Sequence, residues 1–443
     1  MSPIAARRPA RPSEKPASSP AARPGAGESP STPLTEYADR RERLLKSLDG
    51  HVAIVLAGDA DPSLHHPWSP HAHFHYLTGV VDEPGAMLLL DPTHPVASKR
   101  CTLLLRPLNP EVEKWDGFRP ELSGALRAKY GVSSLMRTNM LARLLLESAR
   151  RARKLAAVMP LSPYNAAVSP DLAIIRAQSE RVPGCLVADR STLIPAMRAA
   201  KSTSEIDCIR HAGSITGHGF AAALQTMRAG ITEFDVQEAM EHAYRTNGAR
   251  GTAYRTIAGS GFNATVLHYH ANDQVLADGD LVVIDSGAAF AGYASDVTRT
   301  YPVNGQFTSR QRELYAIVLK SLEAGIKACR AGTTLGAIDA ACRRVINDAG
   351  HGDAFIHGAG HHLGLEVHDA SPDAPLADGA VVTVEPGIYL PGEKIGIRIE
   401  DDIVCTKKGP VNLTGSIPKS IADIERAMAQ GASARVPRPA SRR

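Results

Sequence analysis

The sequence has no apolar run of about eighteen residues or more, so we expect no membrane-spanning segment. Its six cysteines are scattered and include no Cys-X-X-Cys pair. That pattern argues against a disulfide framework and a thiolate zinc site, and it favours a reducing, cytoplasmic location. The formal net charge is only +4 over 443 residues, so the charge gives no support to a nucleic-acid partner.

What remains is the composition of an ordinary globular protein, with 43% hydrophobic and 22% charged residues. A chain of this length exceeds the usual size of a single hydrophobic core, so we expect two domains. Residues 1–33 are rich in Pro, Ala, Ser and Arg and lack the apolar core of a secretion signal, which predicts a disordered extension. Residues 429–443 are expected to form a similar basic tail.

The pattern of apolar residues predicts an α/β fold for the first domain, residues 34–190. The segments HVAIVLAG, GAMLLLDP and RCTLLLRP are typical of buried strands, and LARLLLESARRARKLAAV has helical spacing. In residues 191–428, helices, strands, helices and strands follow one another, which suggests two related halves of a second domain. Ser202 and Glu205 offer the cap and first-turn carboxylate of its first long helix.

Five residues of metal-ligand type lie in short motifs of the second domain, each framed by glycine or by apolar residues. They are Asp285 (VVIDSG), Asp296 (YASDVTRTYPV), His361 (HGAGHHLGLEVHD), Glu385 (TVEPGIY) and Glu400 (GIRIEDD). Four carboxylates and one imidazole suit divalent cations held mainly by oxygen, and four negative charges roughly balance two such ions. The set predicts a two-metal hydrolase.

The spacing of the two aspartates predicts that they meet. LVVID and YASDVTRTY both have the pattern of strands, and a hairpin turning near Phe290 and Ala291 would set Asp285 and Asp296 nearly opposite each other. Cross-strand Cβ atoms lie about 4.5–5.5 Å apart, so both carboxylates could reach one metal pair. The alternative is a solvent-facing hairpin with two ordinary aspartates, which the apolar strands around them disfavour.

The segment GIRIEDDIV alternates strictly, which places Arg398 and Glu400 on the face opposite Ile397 and Ile399. There the guanidinium of Arg398 could orient a carboxylate or meet a substrate group, although a surface Arg–Glu pair would have the same pattern. Glu385 follows an apolar strand, where a carboxylate is costly unless it is paired or binds a metal.

Histidines are concentrated in the same region. The segment HGAGHHLGLEVHD carries four of them, and its spacing differs from the HExxH of zinc proteases. Four histidines in so short a stretch favour a site over core positions, with His362 the expected bystander. Upstream, His268 in VLHYHAND follows an apolar run and is a further site candidate.

With these motifs, residues 36–428 resemble the metallopeptidase family that contains aminopeptidase P, prolidase and methionine aminopeptidase. The resemblance implies a mixed α/β protein with a creatinase-like N-terminal domain and a C-terminal pita-bread catalytic domain. It implies that two divalent ions are held by Asp285, Asp296, His361, Glu385 and Glu400. Asp285 and Glu400 would bridge the ions. Manganese is the usual metal in the proline-specific members, and Co²⁺ or Zn²⁺ would bind more tightly by intrinsic affinity.

The resemblance also implies that the substrate is surrounded by His268, His357, His368 and Arg398. Glu385 would be the proton shuttle, and His268 or His368 would stabilise the negative charge on the substrate carbonyl. EYADRRERLL, FHYLTGVVDEPGAMLLL and NLTGSIPKSIADIERAM resemble the aminopeptidase P branch. That branch hydrolyses the N-terminal Xaa-Pro bond of peptides and forms homodimers or homotetramers. Prolidase, which acts on Xaa-Pro dipeptides, and a non-catalytic binding protein are the alternatives.

One segment departs from the family pattern. Before the YLTG motif, family members often carry a polar stretch of the type RQxSDFxY, whereas this chain has SPHAHFHY, with His71, His73 and His75 and no acid. We expect this difference to act at the substrate entrance and to affect the length of peptide that is accepted.

Overall fold

A six-stranded mixed sheet organises the first half of the protein, whose computed structural model describes residues 29–60 and 68–433. Its strands are β1 (Val52–Leu56), β2 (Met87–Leu90), β3 (Cys101–Leu105), β4 (Ser134–Arg137), β5 (Lys154–Ala157) and β6 (Leu186–Asp189). They lie in the order β4-β3-β2-β1-β5-β6. Strand β2 is antiparallel to both of its neighbours, and the other pairs are parallel.

In the described residues, seven helices accompany this sheet: α1 (Leu34–Ser47), α2 (Ala72–Thr78), α3 (Pro110–Asp116), α4 (Gly124–Lys129), α5 (Leu141–Ala152), α6 (Pro170–Ser179) and α7 (Leu193–Ala199). Both faces of the sheet are covered. Ala53 and Val55 of β1 join the apolar cluster that contains α1 and α2 side chains, and Val52 and Ile54 join a second cluster with α5 and α6 side chains. Alternate side chains of a strand point to opposite faces, which explains why this strand is apolar throughout.

The expectation that LARLLLESARRARKLAAV is helical is wrong for its last third. Helix α5 ends at Ala152, because Arg153 adopts a left-handed conformation with φ of 56°. The next residues, Lys154–Ala157, form β5 between β1 and β6. Leu155, Ala156 and Ala157 are buried there, so burial in the sheet outweighs their helical propensity.

The second half contains two helix pairs and a final helix: α8 (Thr203–Thr226), α9 (Glu233–Thr246), α10 (Ser309–Ala328), α11 (Leu335–Asp348) and α12 (Ile421–Ser433). Capping boxes begin α8, α9 and α10. In each helix the backbone amides of the N-cap residue and of the third helical residue therefore donate to a side chain. The box of α8 is made by Ser202 and Glu205, as the sequence predicts.

Short antiparallel strands follow each helix pair. They are β7 (Gly251–Thr252), β8 (Ile257–Ser260), β9 (Leu281–Asp285), β10 (Ala288–Phe290), β11 (Tyr293–Ala294), β12 (Thr298–Pro302), β13 (Ala380–Val384), β14 (Gly387–Leu390), β15 (Ile395–Arg398), β16 (Asp401–Thr406) and β17 (Gly409–Asn412). The first half of this region pairs them as β8-β9-β12 and β7-β10-β11, the second as β13-β16-β17 and β14-β15. The order of helices, strands, helices and strands agrees with the predicted order, and the relatedness of the two halves stays a prediction.

The side chains of all four long helices meet those of the strands in one apolar core. Phe220 of α8 and Leu314 of α10 belong to it, together with Val282 of β9 and Ile397 of β15. Because alternate strand residues face away from this core, the opposite face of the strands is available to polar side chains.

Most of the predicted extension and basic tail lies outside the described residues, while residues 429–433 belong to α12. None of the helices in the described part of the chain is long and apolar enough to cross a membrane. All six cysteines are free thiols, and four of them are buried.

Gly287 lies where the chain passes from β9 to β10, and a Cβ at this position would be 1.7 Å from the carbonyl oxygen of Ser295. We expect Gly287→Ala to lower the free energy of unfolding by about 3 kcal/mol, because the clash is with backbone that cannot move aside. Gly217→Ala in α8 is the matched control, since its Cβ would meet Ile417 Cγ1 at an ordinary 3.6 Å. Calorimetric melting should separate the two, and equal stabilities would contradict the close approach.

Candidate active site and metal centre

One cavity of about 500 Å³ is lined by all nine residues that the sequence predicts for the site. Asp285 ends β9, and Asp296 lies in the loop between β11 and β12. His361 belongs to the long loop between α11 and β13. Glu385 separates β13 from β14, and Glu400 separates β15 from β16. The remaining four are His268, His357, His368 and Arg398.

The two aspartates approach each other across the strands, although not directly opposite. The hairpin turns at Ala291 and Gly292, and the register pairs Asp285 with Thr298, two residues beyond Asp296. Both carboxylates nevertheless reach a common point, since the Tyr254 hydroxyl oxygen lies 2.5 Å from Asp285 Oδ1 and 2.5 Å from Asp296 Oδ1.

His361 faces this carboxylate cluster with its Nε2 atom. Nε2 lies 3.5 Å from Asp296 Oδ2 and 3.5 Å from Glu385 Oε1. Ligand atoms of Asp296, His361 and Glu400 lie within 4.8 Å of one another. On the other side of the ring, Nδ1 is 3.0 Å from the carbonyl oxygen of His362. A carbonyl only accepts, so Nδ1 carries a proton, and Nε2 is the ring nitrogen that could bind a metal ion once it has lost its own proton.

The electrostatics of this cluster favour bound cations. Burial raises the pKa of Asp285 and that of Glu385, the latter to about 7. Burial and the neighbouring carboxylates hold the pKa of Glu400 well above its usual range. Burial acts to lower the pKa of His361, but Asp296 and Glu385 outweigh it and raise the pKa to about 9. Burial disfavours the ionised form of these carboxyl groups, and a bound divalent cation would stabilise it. The cluster is therefore suited to divalent metal ions, which prefer oxygen ligands.

Arg398 is buried beneath the carboxylates and orients one of them. Its Nη2 donates to Asp285 Oδ2 at 2.7 Å, its Nη1 to the Tyr389 hydroxyl at 2.9 Å, and its Nε to Thr298 Oγ1 at 3.1 Å. The Thr298 hydroxyl in turn donates to Glu400 Oε2 at 2.7 Å. Of the two roles that the sequence left open for Arg398, the structure supports the one of orienting a carboxylate.

Histidines form much of the remaining wall. His357 Nε2 lies 2.8 Å from the Tyr389 hydroxyl, and its Nδ1 lies 2.8 Å from the carbonyl of Gly358. Burial, with the charge of Arg398, lowers the pKa of His357 to about 4, so this imidazole is neutral at physiological pH. The ring of His368 stacks on that of His361 at 3.9 Å between centroids, and His268 is exposed to the cavity.

Three contributors were not predicted from the sequence. Thr298 follows Asp296 by two residues, so strand alternation could have placed it on the same face. Tyr389 could have been placed in the same way, because it lies two residues after Gly387 in β14 and so shares its face of the strand. Tyr254 precedes Asp285 by 31 residues in a segment without clear periodicity, and no local pattern identifies it.

The three histidines of the SPHAHFHY segment do not line this cavity. His73 and His75 are buried, and burial lowers their pKa values to about 3 and about 4. His73 Nδ1 lies 2.7 Å from Arg198 Nη1, and the His75 ring packs against Gly292 at the tip of the β10–β11 hairpin. The effect of this segment on the substrate entrance stays a prediction.

The family follows from sequence comparison. The model described as Metallopeptidase family M24 matches residues 207–407, and the model described as Aminopeptidase P, N-terminal domain, matches residues 37–157. The chain belongs to metallopeptidase family M24. The expected fold class, an α/β N-terminal domain followed by a pita-bread catalytic domain, is therefore confirmed.

Within that family, the chain is similar to Xaa-Pro aminopeptidases. It is 32% identical to the enzyme of that name from Haemophilus influenzae and 34% identical to that from Escherichia coli. Each alignment covers 89% of this chain and 97% of the relative. The solved structure of zinc-substituted Escherichia coli aminopeptidase P in complex with product matches with a TM-score of 0.82 at 31% identity, over 90% of this chain and 99% of that one.

The crowding of carboxylates predicts an unusual stability effect. Glu400→Gln should leave the melting temperature of the metal-free protein unchanged or higher, because it removes one of several buried charges and keeps an acceptor for Thr298. Mn²⁺ should raise the melting temperature of the wild type, since a ligand that binds only the folded state stabilises it. Glu400→Gln should lose this rise because it lacks one of the proposed metal ligands.

Glu393→Gln is the control, because Glu393 is an exposed partner of Arg310. It should keep the full response to Mn²⁺ in differential scanning calorimetry. A Glu400→Gln protein that still responds like the wild type would remove Glu400 from the metal site.

Proposed function

We propose that the protein is a metal-dependent exopeptidase that hydrolyses the N-terminal Xaa-Pro bond of peptides. The observation that carries the proposal is one cavity that gathers five ligand-type residues and four substrate-facing candidates in a member of metallopeptidase family M24. Its similarity to Xaa-Pro aminopeptidases over nearly the whole of their length supports the same activity.

The proposed cofactor is a pair of divalent ions. The ligands would be Asp285, Asp296, His361, Glu385 and Glu400. The oxygen-rich set suits Mn²⁺, while Co²⁺ or Zn²⁺ would also bind, and the relative cited above has been obtained in a zinc-substituted form. Such ions lower the pKa of bound water towards neutrality and polarise a substrate carbonyl. The bridging roles of Asp285 and Glu400 are supported by the family resemblance.

The side chains around the ligands have distinct proposed roles. Glu385 would take the proton from the attacking water and pass it to the proline nitrogen, since its carboxylate lines the cavity between the proposed ligands. His268 and His368 are exposed to the cavity and could donate to the substrate oxygen as negative charge develops there. Donors of this kind are each worth about 2.7–4 kcal/mol.

Recognition of the peptide N-terminus would use charge and shape together. One of the ions would bind the free N-terminal amine of the peptide, which would enforce exopeptidase action. The proline nitrogen bears no hydrogen, so its ring is recognised by packing rather than by donation. His357 is suited to form the surface on which the proline ring packs. Its neutral ring makes edge contacts with Phe355 and Tyr389 at 5.1 and 5.4 Å between centroids.

The proposed domain boundaries remain 34–190 and 191–428, and the family matches end and begin on either side of that junction, at 157 and 207. We place the protein in a reducing, cytoplasmic environment, which its six free thiols support. A homodimer or homotetramer is supported by Trp115 and Phe118, which expose 88% and 70% of their surface. Light scattering should then give a mass at least twice that of the chain.

The activity can be tested with Ala-Pro-Ala and Ala-Pro. We expect release of alanine from the tripeptide, loss of activity on chelation and recovery on adding Mn²⁺, because the ions supply the nucleophile. Asp285→Ala should be folded by circular dichroism and inactive. Cleavage of the dipeptide alone would indicate a prolidase. A purified protein that binds no metal ion would indicate a binding protein instead.

A further inference from the structure

A cluster of buried charges lies behind the loop that carries His361 and His368. Asp369 follows His368 directly, and its carboxylate pairs with Nη2 of Arg198 and, at 3.0 Å, with Nζ of Lys201. All three charged side chains are almost fully buried, at 1–2% exposure. The cluster lies outside the cavity, and the activity proposed above assigns it no task.

Hydrogen bonds connect this cluster to the ligand histidine. The amide of Asp369 donates to the carbonyl oxygen of His362 at 2.9 Å. The same carbonyl accepts from His361 Nδ1 at 3.0 Å. The His362 carbonyl therefore fixes the position of the Asp369 backbone and also the orientation of the His361 imidazole that faces the carboxylates.

The loop has little freedom around this anchor. A Cβ on Gly364 would lie 2.4 Å from Asp369 Oδ2, so the loop backbone packs directly against the buried carboxylate. The amide of Leu363 is held by Val381 of β13, and the amide of Ala294 binds the carbonyl of Gly364. A shift of Asp369 would thus be passed to the neighbouring strands and to both site histidines.

Arg198 joins the cluster to the first domain through the segment that departs from the family pattern. His73 of α2 lies 2.7 Å from Arg198 Nη1 with its Nδ1 atom, which must be the acceptor because a guanidinium only donates. The family motif RQxSDFxY has an acid at the position of His73. Here a neutral imidazole replaces it, so Asp369 is the buried carboxylate that balances Arg198 and Lys201, with half-exposed Glu366 adding a contact at 2.7 Å.

We infer that Asp369, held by Arg198 and Lys201, is a positioning residue that fixes His361 and His368 for metal binding and catalysis, and that His73 keeps the Arg198 guanidinium aimed at it. The expected effect on kcat rests on the proposed function, and the expected effect on Mn²⁺ affinity rests on the proposed metal site. This positioning assigns a role in the chemistry to the first domain, whose described residues do not line the cavity.

Asp369→Asn keeps the size of the side chain and removes the charge that holds Arg198 and Lys201. We expect kcat to fall about 10–100-fold, as for other residues that orient metal ligands, with a smaller change in KM. The dissociation constant for Mn²⁺, measured by titration calorimetry, should rise about 10-fold because His361 loses its fixed orientation.

Asp91→Asn is the matched control. Asp91 is 1% exposed, pairs with Arg151 and accepts a hydrogen bond from Ser148 at 2.6 Å, but it lies beside the N-terminal sheet rather than behind the histidine loop. It should lower the melting temperature like Asp369→Asn, with kcat and Mn²⁺ affinity unchanged. If both variants lose stability and neither loses kcat or Mn²⁺ affinity, Asp369 is merely structural and the inference is overturned.

Arg198→Lys provides a second test if Asp369→Asn does not fold. It retains the charge but not the fork that reaches His73 and Asp369 together, so we expect an intermediate loss of kcat. Wild-type kcat and Mn²⁺ affinity in this variant would contradict the inference. Failure of the wild type to cleave Xaa-Pro peptides would refute the proposed function alone, since the calorimetric difference between Asp369→Asn and Asp91→Asn would still report on positioning.

Discussion

The rest of the structure depends on the burial of four carboxylates in one small cavity. Asp285, Asp296 and Glu400 are at most 9% exposed, and Glu385 is only slightly more accessible. Arg398 supplies one fixed positive charge, so the cavity without metal remains strongly negative. One divalent ion would bring the summed charge of these groups to −1 and two would bring it to +1, so charge balance is met equally well by one ion or by a pair. Burial raises the pKa of several of these carboxyl groups in the absence of ions.

Holding such a cluster requires that the two halves of the second domain be joined rigidly. Strand β12 does this with alternating residues. Thr300 exchanges hydrogen bonds with the backbone of Arg398 at 2.9 and 3.1 Å, and the amide of Glu400 donates to the carbonyl of Thr298 at 3.0 Å. On the other face of the strand, fully buried Arg299 pairs with Asp401 at 2.7 Å. The proposed ligands from both halves are therefore held in place by the protein itself, which would limit the reorganisation that metal binding requires.

The sequence was sufficient to predict that the proposed ligands share one site, because each lies in a local pattern that restricts where its side chain points. Strict alternation around Arg398 and Glu400 places them opposite buried isoleucines, and the structure has Ile397 and Ile399 fully buried. The same reasoning failed where long-range contacts decide. Nothing near Tyr254 indicates two aspartates more than 30 residues away, and nothing in SPHAHFHY indicates that His73 meets Arg198, 125 residues later. The KLAA strand was missed for a related reason, since its partners β1 and β6 come from distant parts of the chain.

These long-range contacts connect the site to a domain whose described residues do not line the cavity. Arg40 of α1 pairs with Glu205 at 3.0 Å, and Glu205 accepts from the Tyr293 hydroxyl on the hairpin between Asp285 and Asp296. His75 packs against the tip of that same hairpin. His73 contacts Arg198, which pairs with Asp369, so the first domain reaches this hairpin directly and the loop of His361 through Arg198. Buried pairs of this kind contribute little net stability, but breaking one leaves an uncompensated charge. Their physical effect is to make one arrangement of the loops far more favourable than the others, which is what a dinuclear site with fixed ligand geometry needs.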